Sequence, residues 1–221
     1  MTTLAARFLD ALYPPNLTCW ACDLEADVNE TGLCADCAAM IRPAAPRPAP
    51  PGLDGLSAGV FYDPALRGAM HRFKYSRQSY LAAHFAAFLP DLGAFGCDVM
   101  VPVPLWPRKE RQRGYNQSAL LAEAGARLQC DAPPLRQSLL RRIRDTGSQT
   151  LLTAAERRDN VIGAFLAAEE VRGLRILLID DVITTGSTLS ACAGALLAAG
   201  ATAVYACAAC AATGTPEPTG E

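Results

Sequence analysis

After Pro64, the apolar residues Leu66, Met70 and Phe73 recur at three- and four-residue intervals, the period of a helix with one inward face. Leu81 to Leu89 continues in the same period with its aromatic residues inward, and Gly59 to Tyr62 ahead of them reads as a strand. Asp98 to Val103 predicts a buried strand that Pro102 and Pro104 bring to an end. From Asn116 to Leu128, the residues Leu120, Leu121, Ala124 and Leu128 fall at i, i+1, i+4 and i+8 and predict a helix packed through them. Thr153-Ala-Ala-Glu156 has the spacing of a capping box for a further short helix. Leu174 to Ile179 is of strand length and apolar except for Arg175. Leu189, Cys192, Ala193, Leu196 and Leu197 then form a helical stripe, and Ala201 to Cys207 returns as a strand. Strand, helix and strand on short connections predict an α/β fold with a parallel sheet and right-handed crossovers.

The ends of the chain differ from this regular middle. A short amphipathic segment places Leu4, Phe8, Leu9 and Leu12 on roughly one helical face, inside a module spanning residues 1–41. Arg42 to Gly52 reads RPAAPRPAPPG, whose five prolines bar helix and central strand and predict an extended, semi-rigid linker. Residues 53–212 form the main domain, and 213–221 (TGTPEPTGE) read as a frayed tail.

Cysteine spacing assigns chemistry to the first module. Cys19-Trp-Ala-Cys22 and Cys34-Ala-Asp-Cys37 are two CxxC knuckles 11 residues apart. Each turn can present two thiolates to one side, and two such turns complete a tetrahedral all-sulfur zinc site. Gly32 supplies a permissive backbone ahead of the second knuckle. A closed four-cysteine site leaves no position for substrate, so Zn2+ there is structural; a redox dithiol or a metal-free remnant are the competing readings. Cys97, Cys130, Cys192, Cys207 and Cys210 read as buried small hydrophobes, including the formal CxxC of Cys207 and Cys210, which lies in a strand-like run.

Composition narrows the class. The 221 residues carry 20 Lys+Arg against 22 Asp+Glu, and 51% are hydrophobic, which excludes a polybasic binder and global disorder. The Ala-, Gly- and Cys-rich stretch from Ala191 to Ala212 is interrupted by Gly200 and reads as helix then strand, with no membrane insertion. Residues 1–15 contain Arg7 and Asp10 and no apolar run of signal-peptide length, which predicts a cytoplasmic protein.

Between the predicted strand at 174–179 and the following helix lies Asp180-Asp181-Val-Ile-Thr184-Thr185-Gly186-Ser187-Thr188. Two carboxylates stand at the carboxyl end of a parallel strand, where open α/β sheets bind ligands. The hydroxyl-rich loop around Gly186 then opens a helix, and its free N–H groups, hydroxyls and helix dipole suit a phosphate monoester. The run has neither Gly-Lys-Ser/Thr nor GxGxxG. The acids can accept hydrogen bonds from sugar hydroxyls or hold Mg2+.

This run resembles the 5-phosphoribosyl-1-pyrophosphate (PRPP) signature of type I phosphoribosyltransferases. The chain as a whole resembles the ComF family of competence proteins, a zinc-ribbon module followed by a phosphoribosyltransferase-like domain. The resemblance extends over Val101-Pro-Val-Pro-Leu-Trp-Pro-Arg-Lys109, Arg113-Gly-Tyr-Asn-Gln117, Ser148-Gln149 with Glu156, Arg157 and Asn160, and Lys74. It implies a Rossmann-like parallel sheet in which Asp180 and Asp181 contact the ribose hydroxyls and Mg2+. It implies further that Thr184, Thr185, Gly186, Ser187 and Thr188 cradle the 5-phosphate, and that the segment with Trp106, Arg108 and Lys109 takes the pyrophosphate. Arg144, Ser148 and Gln149 fall where such enzymes carry a flexible loop closing over the site, with Arg144 as a catalytic candidate. Residues 55–95 would have to supply the hood that reads the acceptor, which stays unidentified.

Charge distribution adds a second functional class. Arg108 to Arg144 holds nine basic residues and three acids (Glu110, Glu123, Asp131), a local +6 within a chain of −2. It serves phosphate handling, forms a solvated face, or tracks single-stranded DNA with Trp106, Tyr115 and Tyr75 available for stacking. The resemblance therefore implies either a phosphoribosyl transfer enzyme or a DNA-binding protein of the natural transformation machinery with PRPP as a regulatory ligand. A third reading makes the zinc module a dock for a DNA-uptake helicase. His71 and His84 sit in amphipathic stretches and read as packed or exposed rather than catalytic.

Overall fold

Four strands, β1 (Gly55–Phe61), β2 (Val99–Pro102), β5 (Arg175–Ile183) and β6 (Ala203–Ala211), form a parallel sheet in the order β1-β6-β5-β2. The structure is a computed structural model describing residues 18–145 and 163–212. The 4–12 amphipathic segment, the 153–156 capping box, Ser148, Gln149 and the 213–221 tail lie outside the described residues. A separate antiparallel pair, β3 (Leu140–Arg142) and β4 (Phe165–Ala167), flanks the 146–162 segment.

The sheet is apolar because both of its faces are covered. Leu177, Ile179, Cys207 and Ala209 pack toward helices α2 (Pro64–Tyr75), α3 (Leu81–Ala86) and α5 (Gln117–Leu128). Ile176, Leu178, Val204, Ala206 and Ala208 face α6 (Ser187–Ala198) and the β3–β4 hairpin. The strand predicted at 174–179 runs on to Ile183, since pairing with β6 continues through Asp180 opposite Ala208 and Val182 opposite Cys210. The acid pair therefore stands on strand backbone paired with β6 rather than in a loop.

Three expectations are corrected. Helix α5 buries Gln117, Ser118, Ala119, Leu121, Ala122, Ala124 and Gly125, so Leu121 and Ala124 pack inward as expected, while Leu128 is exposed beyond the last packing turn. Gly125 belongs to that face because a Cβ there would sit 2.9 Å from Leu89. Cys192, Cys207 and Cys210 are buried as expected, but Cys130 is exposed and Cys97 half-buried, both in connections between elements.

The cysteine segment packs into the main core. A short helix, α1 (Ala35–Met40), begins at Cys34. Cys19, Trp20, Ala21, Leu33 and Cys37 join the same buried cluster as Phe73 and Phe85. Trp20 stacks on His84 at 5.0 Å, and Arg72 of α2 donates to the carbonyls of Trp20 and Ala21. The proline-rich segment that follows runs extended along the open edge of β1: Phe61 N–H donates to Arg42 O and Ala44 N–H to Gly59 O, both at 2.9 Å. It covers an edge strand that would otherwise expose unpaired backbone groups.

Candidate functional site

The carboxyl ends of the adjacent strands β2 and β5 open into a cleft of about 280 Å³. On its floor Lys74 Nζ, from the last turn of α2, donates to Asp181 Oδ1 at 2.7 Å. Ser118 Oγ and the Asp181 N–H both donate to Asp180 Oδ1, at 3.0 and 2.9 Å. Burial and the neighbouring Asp181 charge push the Asp180 carboxyl up to about 7, against the pull of Lys74. Burial pulls the Lys74 ammonium down, but the Asp181 carboxylate more than compensates, so Lys74 stays charged. An ion-paired Asp181 beside an Asp180 that holds its proton up to about pH 7 makes a polarised site that suits sugar hydroxyls and a cation.

The loop after β5 supplies the complementary surface. Gly186 adopts φ +76° at the N-cap of α6, and Ser190 N–H donates to its carbonyl. Thr185 Oγ1 and Ser187 Oγ lie 2.8 Å apart. Residues 184–188 with Asp180 line a small concavity that adjoins the cleft through Asp180 and Thr188. A chain turning in the left-handed region, followed by a helix start, gathers N–H groups toward an anion. A Cβ on Gly186 would meet Pro50 Cγ at 2.5 Å, so the proline-rich segment presses on the back of this loop. From the same segment Arg47 donates to Ala212 O at 2.7 Å and to Thr184 O at 3.4 Å.

Cations form the remaining walls. Lys109 of α4 (Pro107–Arg113) and Arg142 of β3 line the cleft. Burial, and then the Arg142 charge, lower the Lys109 pKa, and burial lowers that of Arg142. Arg113, stacked over the Tyr75 ring at 4.9 Å, also lines it and donates to Gln117 Oε1.

The structure thus brings together Asp180, Asp181, Thr188 and Lys109, with Thr184, Thr185, Gly186 and Ser187 alongside. Arg108 is exposed on the first turn of α4 and is not among the residues lining the cleft; Arg144 is exposed just past the hairpin strand, before the 146–162 segment. Sequence reasoning missed Ser118, and it had Arg113 and Gln117 only as ends of the Arg113-Gly-Tyr-Asn-Gln117 motif and Arg142 only within the basic run, with no place in the site. Ser118 and Gln117 look like ordinary helix residues, and only the packing of α5 on β5 turns them to the acids.

The basic run does not form one surface. Lys109, Arg113 and Arg142 enter the cleft, whereas Arg136 lies at the opposite, amino end of the strands beside Asp98 and Leu174. Tyr115 is taken out of play for stacking, since it packs on Phe73 and its hydroxyl donates to Phe73 O. Tyr75 is 61% exposed at the cleft. Residues 55–95 form no separate hood: β1 pairs with β6, and α2 and α3 are built into the core.

The four cysteines meet the requirements of a metal centre. The Sγ atoms of Cys19, Cys22, Cys34 and Cys37 all lie within 4.8 Å of one another, with Cys22 and Cys34 at 4.0 Å. Tetrahedral zinc with Zn–S of about 2.3 Å needs sulfurs about 3.8 Å apart. The thiols differ: burial raises that of Cys19, but hydrogen bonds from the backbone of Cys22, Cys34 and Ala21 outweigh it and bring it down to about 6, whereas burial raises the Cys22 and Cys37 thiols. The expected permissive glycine is present, with Gly32 at φ +76°. The cluster can hold a metal such as zinc.

Several known proteins are similar to this chain. A family profile described as "Phosphoribosyl transferase domain" matches residues 134–219. The DNA utilization protein YhgH of Salmonella typhimurium is 33% identical over 214 residues, spanning 84% of this chain and 93% of its own. Competence protein F of Haemophilus influenzae is 41% identical over 96 residues, covering 42% of this chain and 41% of that protein. Competence protein ComFC of Bacillus subtilis is 30% identical over 147 residues, covering 63% and 56%. Among solved structures, the glutamine PRPP amidotransferase of B. subtilis matches at 22% identity and a TM-score of 0.35, over 61% of this chain and about a quarter (26%) of its own length.

Proposed function

Since the chain belongs to the ComF family of competence and DNA-utilization proteins, we propose that its cleft binds PRPP with Mg2+ and transfers the phosphoribosyl group to an acceptor. The observation that carries this reading is the juxtaposition, on one rigid strand end, of the Asp180–Asp181 pair with the 184–188 loop. The loop N–H groups and hydroxyls hold the 5-phosphate, and Asp180 and Asp181 accept from the ribose hydroxyls. Lys109 and Arg142 face the pyrophosphate from the side of β2 and β3. Mg2+, held beside Asp180 and Asp181, would neutralise charge on the leaving group. In the transfer the C1–O bond to pyrophosphate breaks, its electron pair leaves with the pyrophosphate, and an acceptor lone pair forms the new bond to C1. Positioning and charge neutralisation drive such a step without a protein nucleophile.

On this reading residues 53–212 are the phosphoribosyltransferase domain, 1–41 a zinc-stabilised module and 42–52 the segment joining them. The cytoplasm is then the site of action; among the described residues no helix is long and apolar enough to cross a membrane. Phosphorus NMR of PRPP with Mg2+ tests the reading. Broadened PRPP signals that sharpen again with an Asp180→Asn/Asp181→Asn variant are expected; unbroadened signals with the native chain overturn it.

A second reading, PRPP-regulated binding of single-stranded DNA, is favoured by the exposed Arg108, Arg111, Arg141 and Arg144 and the exposed Tyr75. Its signature is affinity for an oligonucleotide that falls steeply with salt. A DNA-uptake helicase would be the partner at the cysteine module.

A further inference from the structure

The start of the 184–188 loop is held from behind by the proline-rich segment. Arg47 donates from Nη2 to Ala212 O at 2.7 Å and, over a longer 3.4 Å, from Nη1 to Thr184 O. Its Nε is buried with no hydrogen-bond partner among the described residues, so the guanidinium is held through its Nη groups. The Ala212 N–H donates to Ile183 O at 2.8 Å and continues the β5–β6 ladder, so the shorter bond anchors Arg47 to the sheet and the longer one reaches the loop. Pro46 and Pro48 flank Arg47 and restrict the backbone that presents it.

Residues 184–186 form a wall between two hollows. On one side, with Asp180 and Thr188, they line the small concavity of the candidate phosphate site. On the other, with Arg47, Pro48 and Pro50, they line a hollow of about 250 Å³. Arg47 lines only the second. The described residues contain no cis peptide bond, and across a trans peptide the C=O and N–H point in opposite directions. A Thr184 carbonyl held toward Arg47 therefore turns the Thr185 N–H of the same peptide toward the concavity. Reversal of that peptide would set a carbonyl oxygen, the negative end of its dipole, against an anion there. Packing on Pro50 limits where the loop can lie, whereas a hydrogen bond to the carbonyl selects which way the peptide faces.

We infer that Arg47 is a positioning residue for phosphate recognition, holding the Thr184–Thr185 peptide with its N–H toward the ligand. This deepens the proposed function and rests on it: the 5-phosphate is the group the loop holds, and Arg47 acts on it through the peptide without touching it.

Calorimetric titration of the full chain with three probes tests the inference: PRPP with Mg2+, ribose 5-phosphate, which lacks the pyrophosphate, and magnesium pyrophosphate, which lacks the 5-phosphate. Arg47→Met keeps the apolar stem and removes the donors. It should weaken PRPP and ribose 5-phosphate about tenfold and change magnesium pyrophosphate by less than about twofold. Arg47→Lys, with one donor group for two carbonyls, should recover part of the loss, and it carries the same comparison if the Met variant does not fold. Unchanged affinity for the 5-phosphate ligands, or equal weakening of pyrophosphate as a general loss of structure would give, overturns the inference. A crystal structure of the variant reads the same claim without ligand: a reversed or disordered Thr184–Thr185 peptide is expected, and the native orientation overturns it. PRPP bound equally by native and variant chains refutes only this inference, whereas a native chain that binds neither PRPP nor ribose 5-phosphate refutes the transferase reading and this inference with it.

Discussion

Replacing Asp180 by Asn tests the electrostatics of the acid pair while preserving its shape. The Asn Oδ1 can still accept from Ser118 Oγ and from the Asp181 N–H, the two bonds Asp180 Oδ1 makes. Burial and Asp181 raise Asp180 from 3.8 to about 7 in the folded protein. An acid with a higher folded pKa holds its proton more firmly when folded. Its effect on stability is therefore absent below about pH 4, grows as pH climbs to about 7, and is constant above. At about 1.36 kcal/mol per pH unit, the span amounts to about 4 kcal/mol. Asp180 is only half-buried and water in the cleft screens part of this, so about 2–4 kcal/mol is expected. Between pH 5 and pH 8 the native chain should lose about 1–3 kcal/mol that the Asn variant keeps. The extra N–H group of Asn carries the same cost at both pH values and cancels. At about 2–4 °C per kcal/mol for a chain of this size, the Tm of the variant should rise relative to native by about 2–12 °C from pH 5 to pH 8. Scanning calorimetry in magnesium-free, chelator-free buffer reads this directly. An identical Tm difference at both pH values would refute the reasoning.

Three further outcomes follow from named contacts. Gly186→Ala forces a side chain onto a +76° φ and against Pro50 at 2.5 Å, and should cost about 1–3 kcal/mol in urea unfolding and weaken PRPP binding; a variant of native stability contradicts the packing of the proline-rich segment on the loop. Lys74→Met leaves Asp181 beside Asp180 without its cation; with the lysine 23% exposed, a loss of about 1–3 kcal/mol at pH 8 that shrinks toward pH 5 is expected, and a pH-independent loss contradicts it. Chelation of the metal should red-shift the emission of Trp20, which is buried beside Cys19, and lower the unfolding midpoint of the whole chain. An unchanged midpoint would mean that the cysteine segment does not support the core.

The elements that were legible in the sequence are those whose signal is local. The periodicity of Leu66, Met70 and Phe73 fixes α2, the apolar run before Asp180 fixes β5, and two CxxC turns fix the four-cysteine cluster. The motif from Asp180 to Thr188 was readable because adjacent residues of one strand–loop–helix unit line the site together. What was hidden depends on contacts between distant segments. Ser118 meets Asp180 only because α5 packs on β5, and the extended proline-rich stretch becomes a cover for the β1 edge and a brace for Gly186 only once β1 is in place. The run from Arg108 to Arg144 misleads for the same reason: α5 carries the chain from the cleft to the far end of the sheet, so charges contiguous in sequence are divided between the two ends.

The central claim is that one ligand spans the acid pair and the 184–188 loop. A crystal structure of the protein soaked with PRPP and Mg2+ tests this most directly. The account predicts the 5-phosphate within hydrogen-bond distance of the Thr184–Thr188 backbone and hydroxyls, with the ribose hydroxyls on Asp180 and Asp181. Density for PRPP elsewhere on the protein, or none in the cleft at saturating concentration, would contradict it.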